Sequence, residues 1–186
     1  TLVNSNTVTE HRRENSDVDT KRIEANVYGN LARGGKLAFK GNWMSSQRGL
    51  PGSVIYYNQD ARERLWDEAG FVQGQYSKRL SDKIELKGQL KYNYAWNKYM
   101  DEDESYHGGV RTDYFTQKEL YGSLSVKYTP ATHLGIVLSQ DIFRNTLDAS
   151  YVNFVYPRRF TSLTALAARY DNGRINATAS LLSTYI

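Results

Sequence analysis

The sequence predicts an all-β fold, an antiparallel transmembrane β-barrel to which this chain contributes about eight strands. Three observations lead to this prediction. Long segments alternate apolar and polar residues with a period of two. Short and long connections alternate strictly between these segments. Aromatic residues, led by 15 Tyr, make up 13% of the chain, and many of them fall near the ends of the segments, as in the aromatic belts of membrane proteins.

Segment 83–96, KIELKGQLKYNYAW, has the clearest strand pattern. Its even positions are apolar, aromatic or glycine, and its odd positions are polar or charged except for Ala95. Successive side chains of a strand point to opposite faces, so the pattern gives one apolar and one charged face. Strands of soluble proteins usually have about five or six residues, whereas a strand that crosses a membrane needs about 9–11. The length of this segment therefore favours a membrane strand.

Other segments repeat this alternation, which brings the number of candidate strands to about eight. One of them, 160–170, is ambiguous in phase because apolar residues occur at both parities. The remaining predicted strands are 21–31, 36–44, 71–80, 119–128, 134–143 and 174–185.

The connections fall into two length classes. Residue types predict tight turns at 32–35, 81–82, 129–132 and 171–173. Between them lie long connections at about 45–65, 98–115 and 145–159. Membrane barrels have this asymmetry, with short turns on the periplasmic side and long loops outside. We therefore expect the long connections on the outer side, together with the polar N-terminal stretch.

The two faces of the strands have distinct expected environments. The apolar face would contact lipid and the polar face would line the lumen, which accounts for a mean hydropathy as low as -0.64. Aromatic residues are expected at both borders of the lipid face, namely Tyr128 and Tyr170 beside turns, and Trp43, Tyr94, Trp96 and Tyr185 beside long loops. Soluble sandwiches and lipocalin-like barrels also alternate, but their strands are usually shorter.

Composition argues against several other classes of protein. The chain has no cysteine, which excludes a disulfide scaffold and a thiolate metal site. The formal charge of +4 is spread along the chain without a basic stripe, so no nucleic-acid partner is expected. The histidines, His11, His107 and His133, are far apart in sequence, and no nucleophile motif or phosphate loop accompanies them. We therefore expect that the protein is not an enzyme.

Four short stretches, in this order and spacing, resemble a known family. They are RGLPG at 48–52, ARERLWDEAGFVQGQYSKRL at 61–80, NFVYPRRFTSL at 153–163 and ATASLLSTYI at 177–186. Together they resemble the barrel of TonB-dependent outer-membrane receptors, especially the cobalamin- and siderophore-receptor-like group, over about residues 15–186.

The resemblance implies a 22-stranded barrel in the outer membrane of a Gram-negative bacterium. Such receptors have an N-terminal plug and a segment that engages the TonB energy-coupling protein, and neither is visible in this sequence. The abrupt polar start, the missing signal peptide and the final Ile186 lead us to expect an internal piece of the barrel, roughly its middle third. A self-contained eight-stranded barrel is the alternative.

The resemblance also implies a function, which is energy-coupled uptake of a scarce nutrient. Cobalamin is the first expectation, ahead of a ferric siderophore and a glycan. The expected partners are outer-membrane lipid and lipopolysaccharide, the TonB protein through the plug, a surface lipoprotein and the small-molecule ligand. No cofactor is expected. The alternative is a structural or adhesive outer-membrane barrel that transports nothing.

Candidate ligand contacts are the aromatic and arginine residues of the expected outer loops, because such side chains are favoured recognition anchors. Several of them could instead pack loop on loop or hold lipopolysaccharide phosphates. They are Tyr56, Tyr57, Tyr106, Arg111, Tyr151, Tyr156, Arg158 and Arg159.

The acidic run 101–104 is a candidate calcium site in an expected outer loop. Asp101, Asp103 and Glu104 are the candidate ligands. The run lacks the alternating ligand spacing and the turn glycine of a dedicated calcium loop, which favours a solvated loop instead.

Overall fold

The computed structural model describes residues 13–52 and 61–186, and the backbone of two short strands before them. These two strands, β1 (Leu2–Asn4) and β2 (Thr7–Thr9), form a small antiparallel pair that the sequence pattern did not predict. The other strands are β3 (Val18–Asn30), β4 (Gly35–Gly49), β5 (Arg64–Arg79), β6 (Ile84–Glu102), β7 (Val110–Ala131), β8 (Leu134–Ala149), β9 (Arg158–Asp171) and β10 (Asn176–Tyr185).

Strands β3 to β10 form one eight-stranded antiparallel sheet in which each strand pairs with its neighbours in sequence. Within the described residues the sheet is open, with β3 and β10 as its edges. The described part of the chain is all-β apart from one 3-10 turn at Ala32–Gly34. None of its helical structure has the length and hydrophobicity needed to cross a membrane.

All eight predicted strands are confirmed, and most are longer than predicted. Strand β6 runs to Glu102 rather than to residue 96, and β8 runs to Ala149 rather than to residue 143. The added residues place charged side chains on the apolar face, namely Lys98 and Glu102 on β6 and Arg144 and Asp148 on β8, so the period-two signal stops although the ladder of backbone hydrogen bonds continues. The long connections are correspondingly shorter than predicted, at 50–63, 103–109 and 150–157.

The alternation of short and long connections is confirmed, with one shift in position. The turn predicted at 129–132 begins later, because β7 continues to Ala131 with a register irregularity after Tyr128. Pro130 lies in this irregularity, where its missing N–H removes no regular ladder bond. The turn itself consists of Thr132 and His133.

Strand register assigns each side chain to one of two faces, since residues directly opposite each other share a face. The apolar residues of segment 83–96 therefore define an apolar face across the whole sheet. One row crosses all eight strands from β3 to β10 and is formed by Val27, Phe39, Gly74, Leu90, Gly122, Ile142, Ser162 and Tyr185.

Register also resolves the phase of β9. Phe160, Leu166 and Tyr170 lie on the apolar face, opposite Arg144, Leu138 and Leu134. The sequence left the phase open because small apolar residues also occupy the other face of β9. Tyr185 was expected at a long-loop border, but it lies level with Leu90 in the middle of the apolar rows, because β8 and β9 extend well beyond it.

The polar face is held by lateral contacts between neighbouring strands. Asn93 Nδ2 donates a hydrogen bond to Glu119 Oε1 over 2.7 Å, and Gln75 Nε2 donates to Gln89 Oε1 over 3.1 Å. Hydrogen-bonded amide and carboxylate groups of this kind indicate a face that remains hydrated.

None of the residues that the structure describes forms a layer over the apolar face. Leu90 is 61% exposed and Val72 is also 61% exposed, although both lie in central rows of the sheet. Ala149 is the one hydrophobic residue that is buried within the described part of the chain. The accessible surface is 14069 Å², whereas a compact monomer of this mass exposes about 9,100 Å². The sheet therefore has no hydrophobic core of its own.

Candidate ligand-binding cluster at the loop end

Charged and aromatic side chains gather on the polar face where β6 and β7 approach their long connection. Opposite positions in the register are Asp101 with Arg111, and Tyr99 with Asp113. Tyr106 from the connection and Tyr151 from the next connection complete the group. We call this group the loop-end cluster; it consists of Tyr99, Asp101, Tyr106, Arg111, Asp113 and Tyr151.

Two short hydrogen bonds to carboxylates organise the loop-end cluster. The Tyr106 hydroxyl donates to Asp101 Oδ2 over 2.8 Å, and this bond raises the pKa of Tyr106 above its usual value. Arg111 Nε donates to Asp113 Oδ2 over 2.8 Å. Asp113 is only 8% exposed, and Arg111 is its ion-pair partner.

Tyr151 connects the cluster to the connection between β8 and β9. Its ring lies 5.5 Å from the ring of Phe115 on the polar face of β7. Just before it, the Ser150 backbone N–H donates to the Tyr114 carbonyl over 3.0 Å, and the Tyr114 N–H donates to the Ser150 hydroxyl over 3.0 Å. The two connections are thus fixed to neighbouring strands, Tyr106 to β6 and Tyr151 to β7.

The arrangement offers several groups that can bind a ligand. It presents phenol rings, one guanidinium and two carboxylates within a small area, which suits a ligand with several hydroxyl, amide or cationic groups. The two histidines that the structure describes lie apart, because His107 precedes β7 and His133 follows it.

The acidic run 101–104 does not converge in the described structure. Asp101 accepts the Tyr106 hydrogen bond, while Asp103 Oδ1 accepts one from the Ser105 backbone N–H over 2.8 Å. The Ser105 amide lowers the pKa of Asp103. Within the described ranges no three His, Cys, Asp or Glu side chains are grouped as metal ligands would be. Calcium binding by Asp101, Asp103 and Glu104 stays a prediction.

The remaining predicted contacts are not brought together. Tyr156 packs edge-on against Phe154 at 5.5 Å within its own connection. Arg158 and Arg159 begin β9 and point to opposite faces, the apolar one for Arg158 and the polar one for Arg159. Tyr56 and Tyr57 lie outside the described residues.

A second network, which the sequence analysis missed, ties residues 13–17 to the connection between β4 and β5. Arg64 donates two hydrogen bonds to the Asp17 carboxylate, over 3.2 and 2.7 Å, and these lower the pKa of Asp17. Asn15 Nδ2 donates to the carbonyls of Leu50 and Glu63 over 3.1 and 2.8 Å. A Cβ on Gly49 would lie only 2.5 Å from the Asn15 carbonyl oxygen, so glycine is required there.

Comparison with protein-family models and with curated proteins identified no relative of this chain. No protein-family model matches the chain, and no curated protein matches it in sequence. Fold and site together define an all-β protein built on one eight-stranded antiparallel sheet, with an uncovered apolar face and a charged, aromatic cluster at its loop end.

Proposed function

We propose that this chain forms part of a transmembrane β-barrel of the Gram-negative outer membrane, in a receptor of the TonB-dependent kind. The observation that carries the proposal is the uncovered apolar face of the eight-stranded sheet. Eight strands about 4.8 Å apart, each apolar on one face over some ten residues, give a face on the order of 1,000 Å². The largest apolar patch on a soluble monomer is about 300–600 Å².

The height of the apolar face supports lipid as its solvent. Along β6 the apolar face extends from Ile84 to Tyr94. The next row across the strands, on the side of the long loops, includes Glu68 and Asp148. Ten residues span about 33 Å along a strand. A strand tilt of about 45° reduces this to about 23 Å, close to the apolar band of outer-membrane barrels.

Further strands would complete the barrel. Open sheet edges do not occur in the hydrocarbon region of a membrane, because each unpaired backbone N–H or C=O group there costs roughly several kcal/mol of free energy. Edges β3 and β10 therefore pair in the membrane, either with each other or with strands of a larger barrel. A groove of about 600 Å³ on the polar face supports the larger barrel; it is lined by residues from β3 to β7, among them Lys36, Gln75 and Lys87. Wide barrels have room for a plug.

Energy-coupled uptake of cobalamin or a ferric siderophore is the transport role that we assign to this receptor. The loop-end cluster lies on the lumen side in this orientation, where a ligand would pass from the loops into the barrel. Tyrosine and arginine are frequent anchors in binding sites. The sequence stretches at 48–52, 61–80, 153–163 and 177–186 supply the resemblance to this family.

The membrane orientation is tested with single cysteines, because the chain has none. Leu90→Cys and Lys91→Cys place a fluorophore at adjacent positions on opposite faces in the refolded full-length protein. Brominated lipids should quench the Leu90→Cys probe, and aqueous iodide should quench the Lys91→Cys probe. If the Leu90→Cys probe is not quenched in the brominated bilayer, the proposed transmembrane barrel is wrong.

The transport role has a separate test. Calorimetry of the full-length protein with cobalamin and with ferric chelates should give binding to one of them, weakened by Arg111→Gln. Binding of neither, with the orientation test passed, leaves the structural or adhesive barrel as the function.

A further inference from the structure

Three cationic side chains lie on the apolar face, at its border nearest the long loops. They are Lys118 on β7, Arg144 on β8 and Arg158 on β9. In the register Lys118 is opposite Thr146, which is opposite Arg158, so one row contains both cations. Arg144 precedes Thr146 by two residues and therefore lies on the same face, one row nearer the turns.

The aromatic border of the apolar face passes through the same rows. The row of Lys118 continues to Tyr94 on β6, and then through Gly70 to Trp43 on β4. The rings of Trp43 and Tyr94 stack at 5.7 Å, as expected of side chains at a membrane–water border. The cations are thus level with the headgroup region of the proposed outer leaflet.

None of the three cations is neutralised by a described carboxylate. All three are exposed, and the ion pairs of the described residues do not include them. The nearest acidic residue on this face by register is Asp148, one row closer to the loops than Thr146. Like charges on three adjacent strands repel each other unless an anion lies between them.

We propose that Lys118, Arg144 and Arg158 bind the phosphate groups of a phosphorylated glycolipid in the outer leaflet. This inference rests on the proposed outer-membrane location. Arginine holds phosphate through paired N–H groups, and lysine adds a compact charge. Basic residues that border a membrane-facing surface bind anionic lipid headgroups in this way. The adjoining apolar residues, Leu120, Ile142 and Leu138, contact the acyl chains.

Snorkelling of single cations to the interface would not create this arrangement. It would spread the lysines and arginines around the border, whereas Lys118, Arg144 and Arg158 occupy two rows on three adjacent strands. Two further lysines of this face, Lys21 on β3 and Lys98 on β6, lie one and two rows farther toward the long loops. Arg159, the neighbour of Arg158, points to the polar face and has no part in the site.

The experiment measures glycolipid retained by the full-length protein in nanodiscs, by native mass spectrometry. The triple variant K118Q/R144Q/R158Q should lose about a hundredfold in apparent affinity for bisphosphorylated lipid A, since each cation near an anionic surface contributes roughly a factor of five. The control K40Q/K91Q/R159Q removes the same charge from the polar face and should retain the lipid. Removing the lipid phosphates should weaken the wild type to the level of the triple variant.

Equal retention by the triple variant and the control overturns the site, and so does unchanged binding of the dephosphorylated lipid. Competition by millimolar inorganic phosphate alone would indicate an ion site and also overturns the lipid assignment. The Leu90→Cys quenching test is independent of these three residues. Quenching at Leu90 together with equal retention rejects only this inference, while no quenching rejects the proposed function beneath it.

Discussion

Gly70 lies beneath two aromatic rings that neighbouring strands contribute. It is opposite Trp43 on one side and Tyr94 on the other, and the two rings stack 5.7 Å apart with an interplanar angle of 15°. A Cβ at this position would lie 2.6 Å from both Trp43 Cε3 and the Asn42 carbonyl oxygen. The aromatic border therefore depends on the absence of a side chain at residue 70.

Gly70→Ala is expected to destabilise the protein by about 1–3 kcal/mol, the usual cost of inserting a methyl group into a filled site. Gly29→Ala is the matched control, because its added Cβ meets nothing within 4 Å. The control should be neutral or stabilise by up to about 1 kcal/mol. Urea unfolding in detergent, followed by tryptophan fluorescence, compares the two variants. Equal stabilities would contradict the packing described at Gly70.

The Asp17 carboxylate should make residues 13–17 sensitive to acid. Its pKa is lowered in the folded protein by the Arg64 hydrogen bonds, from an ordinary value of 3.8. A lowered pKa stabilises the folded state above pH 3.8, and this contribution is lost as the pH falls through the lower folded-state value. Hydrogen exchange of the Gly49 amide, which donates to the Asp17 carbonyl, should accelerate there beyond its intrinsic pH dependence.

Asp17→Asn should show the faster Gly49 exchange already at neutral pH. Asp19→Asn is the control, since Asp19 pairs with Lys21 at 3.6 Å and both side chains are largely exposed. If Asp19→Asn accelerates Gly49 exchange as much as Asp17→Asn does, the Arg64 pair has no specific role.

At the scale of elements, the extended ends of β6, β7 and β8 fix the loops that carry the candidate site. Strand β7 has 22 residues and pairs with β6 up to Val110, whereas the pairing with β8 ends at Phe115. Tyr151 packs on Phe115 where the β8 pairing stops. Beyond the regular pairing, the connection between β8 and β9 is therefore held by this aromatic contact together with the hydrogen bonds between Ser150 and Tyr114.

Tyr151→Ala should release this connection. An aromatic pair contributes about 0.5–1.5 kcal/mol beyond area burial, so exchange of the Ser150 amide should rise by roughly twofold to tenfold. Tyr156→Ala is the matched control, because Tyr156 contacts Phe154 within the same connection and not β7. Unchanged Ser150 exchange in Tyr151→Ala would show that the backbone bonds to Tyr114 suffice.

At the scale of the whole molecule, the sorting of connections gives the sheet two different ends. Tight turns close one end, and the connections at 50–63, 103–109 and 150–157 lie at the other. In the proposed barrel the second end is outside the cell. The asymmetry follows from the residue types, since Gly34 and Gly173 adopt the positive φ angles that tight turns require.

Sidedness is expected to appear in labelling of intact cells that carry the full-length protein. A membrane-impermeant maleimide should react with Ser105→Cys, in the connection between β6 and β7, before the cells are opened. Ser81→Cys, in the turn between β5 and β6, should react only after lysis. Both residues are exposed serines, which makes the pair matched. The reverse pattern would invert the proposed orientation. If neither cysteine reacts before lysis, the long connections are not exposed at the cell surface.

The sequence by itself determined the eight strands, the two faces of every strand but β9, and the order of short and long connections. These features depend on local alternation, as in segment 83–96, and on local turn chemistry, as at Gly173. The full lengths of β6 and β8 did not appear in the pattern, because charged residues enter the apolar face there while the backbone ladder continues.

Only the tertiary structure decided which side chains meet. Tyr106 and Arg111 were predicted as candidates, but their carboxylate partners at Asp101 and Asp113, and the packing of Tyr151 on Phe115, depend on register. The row that joins Lys118 to Arg158 likewise combines residues 40 positions apart in sequence. Register is set by the summed pairing of whole strands. Alternation within one strand gives the face of a residue, whereas its neighbours across the sheet follow from that pairing.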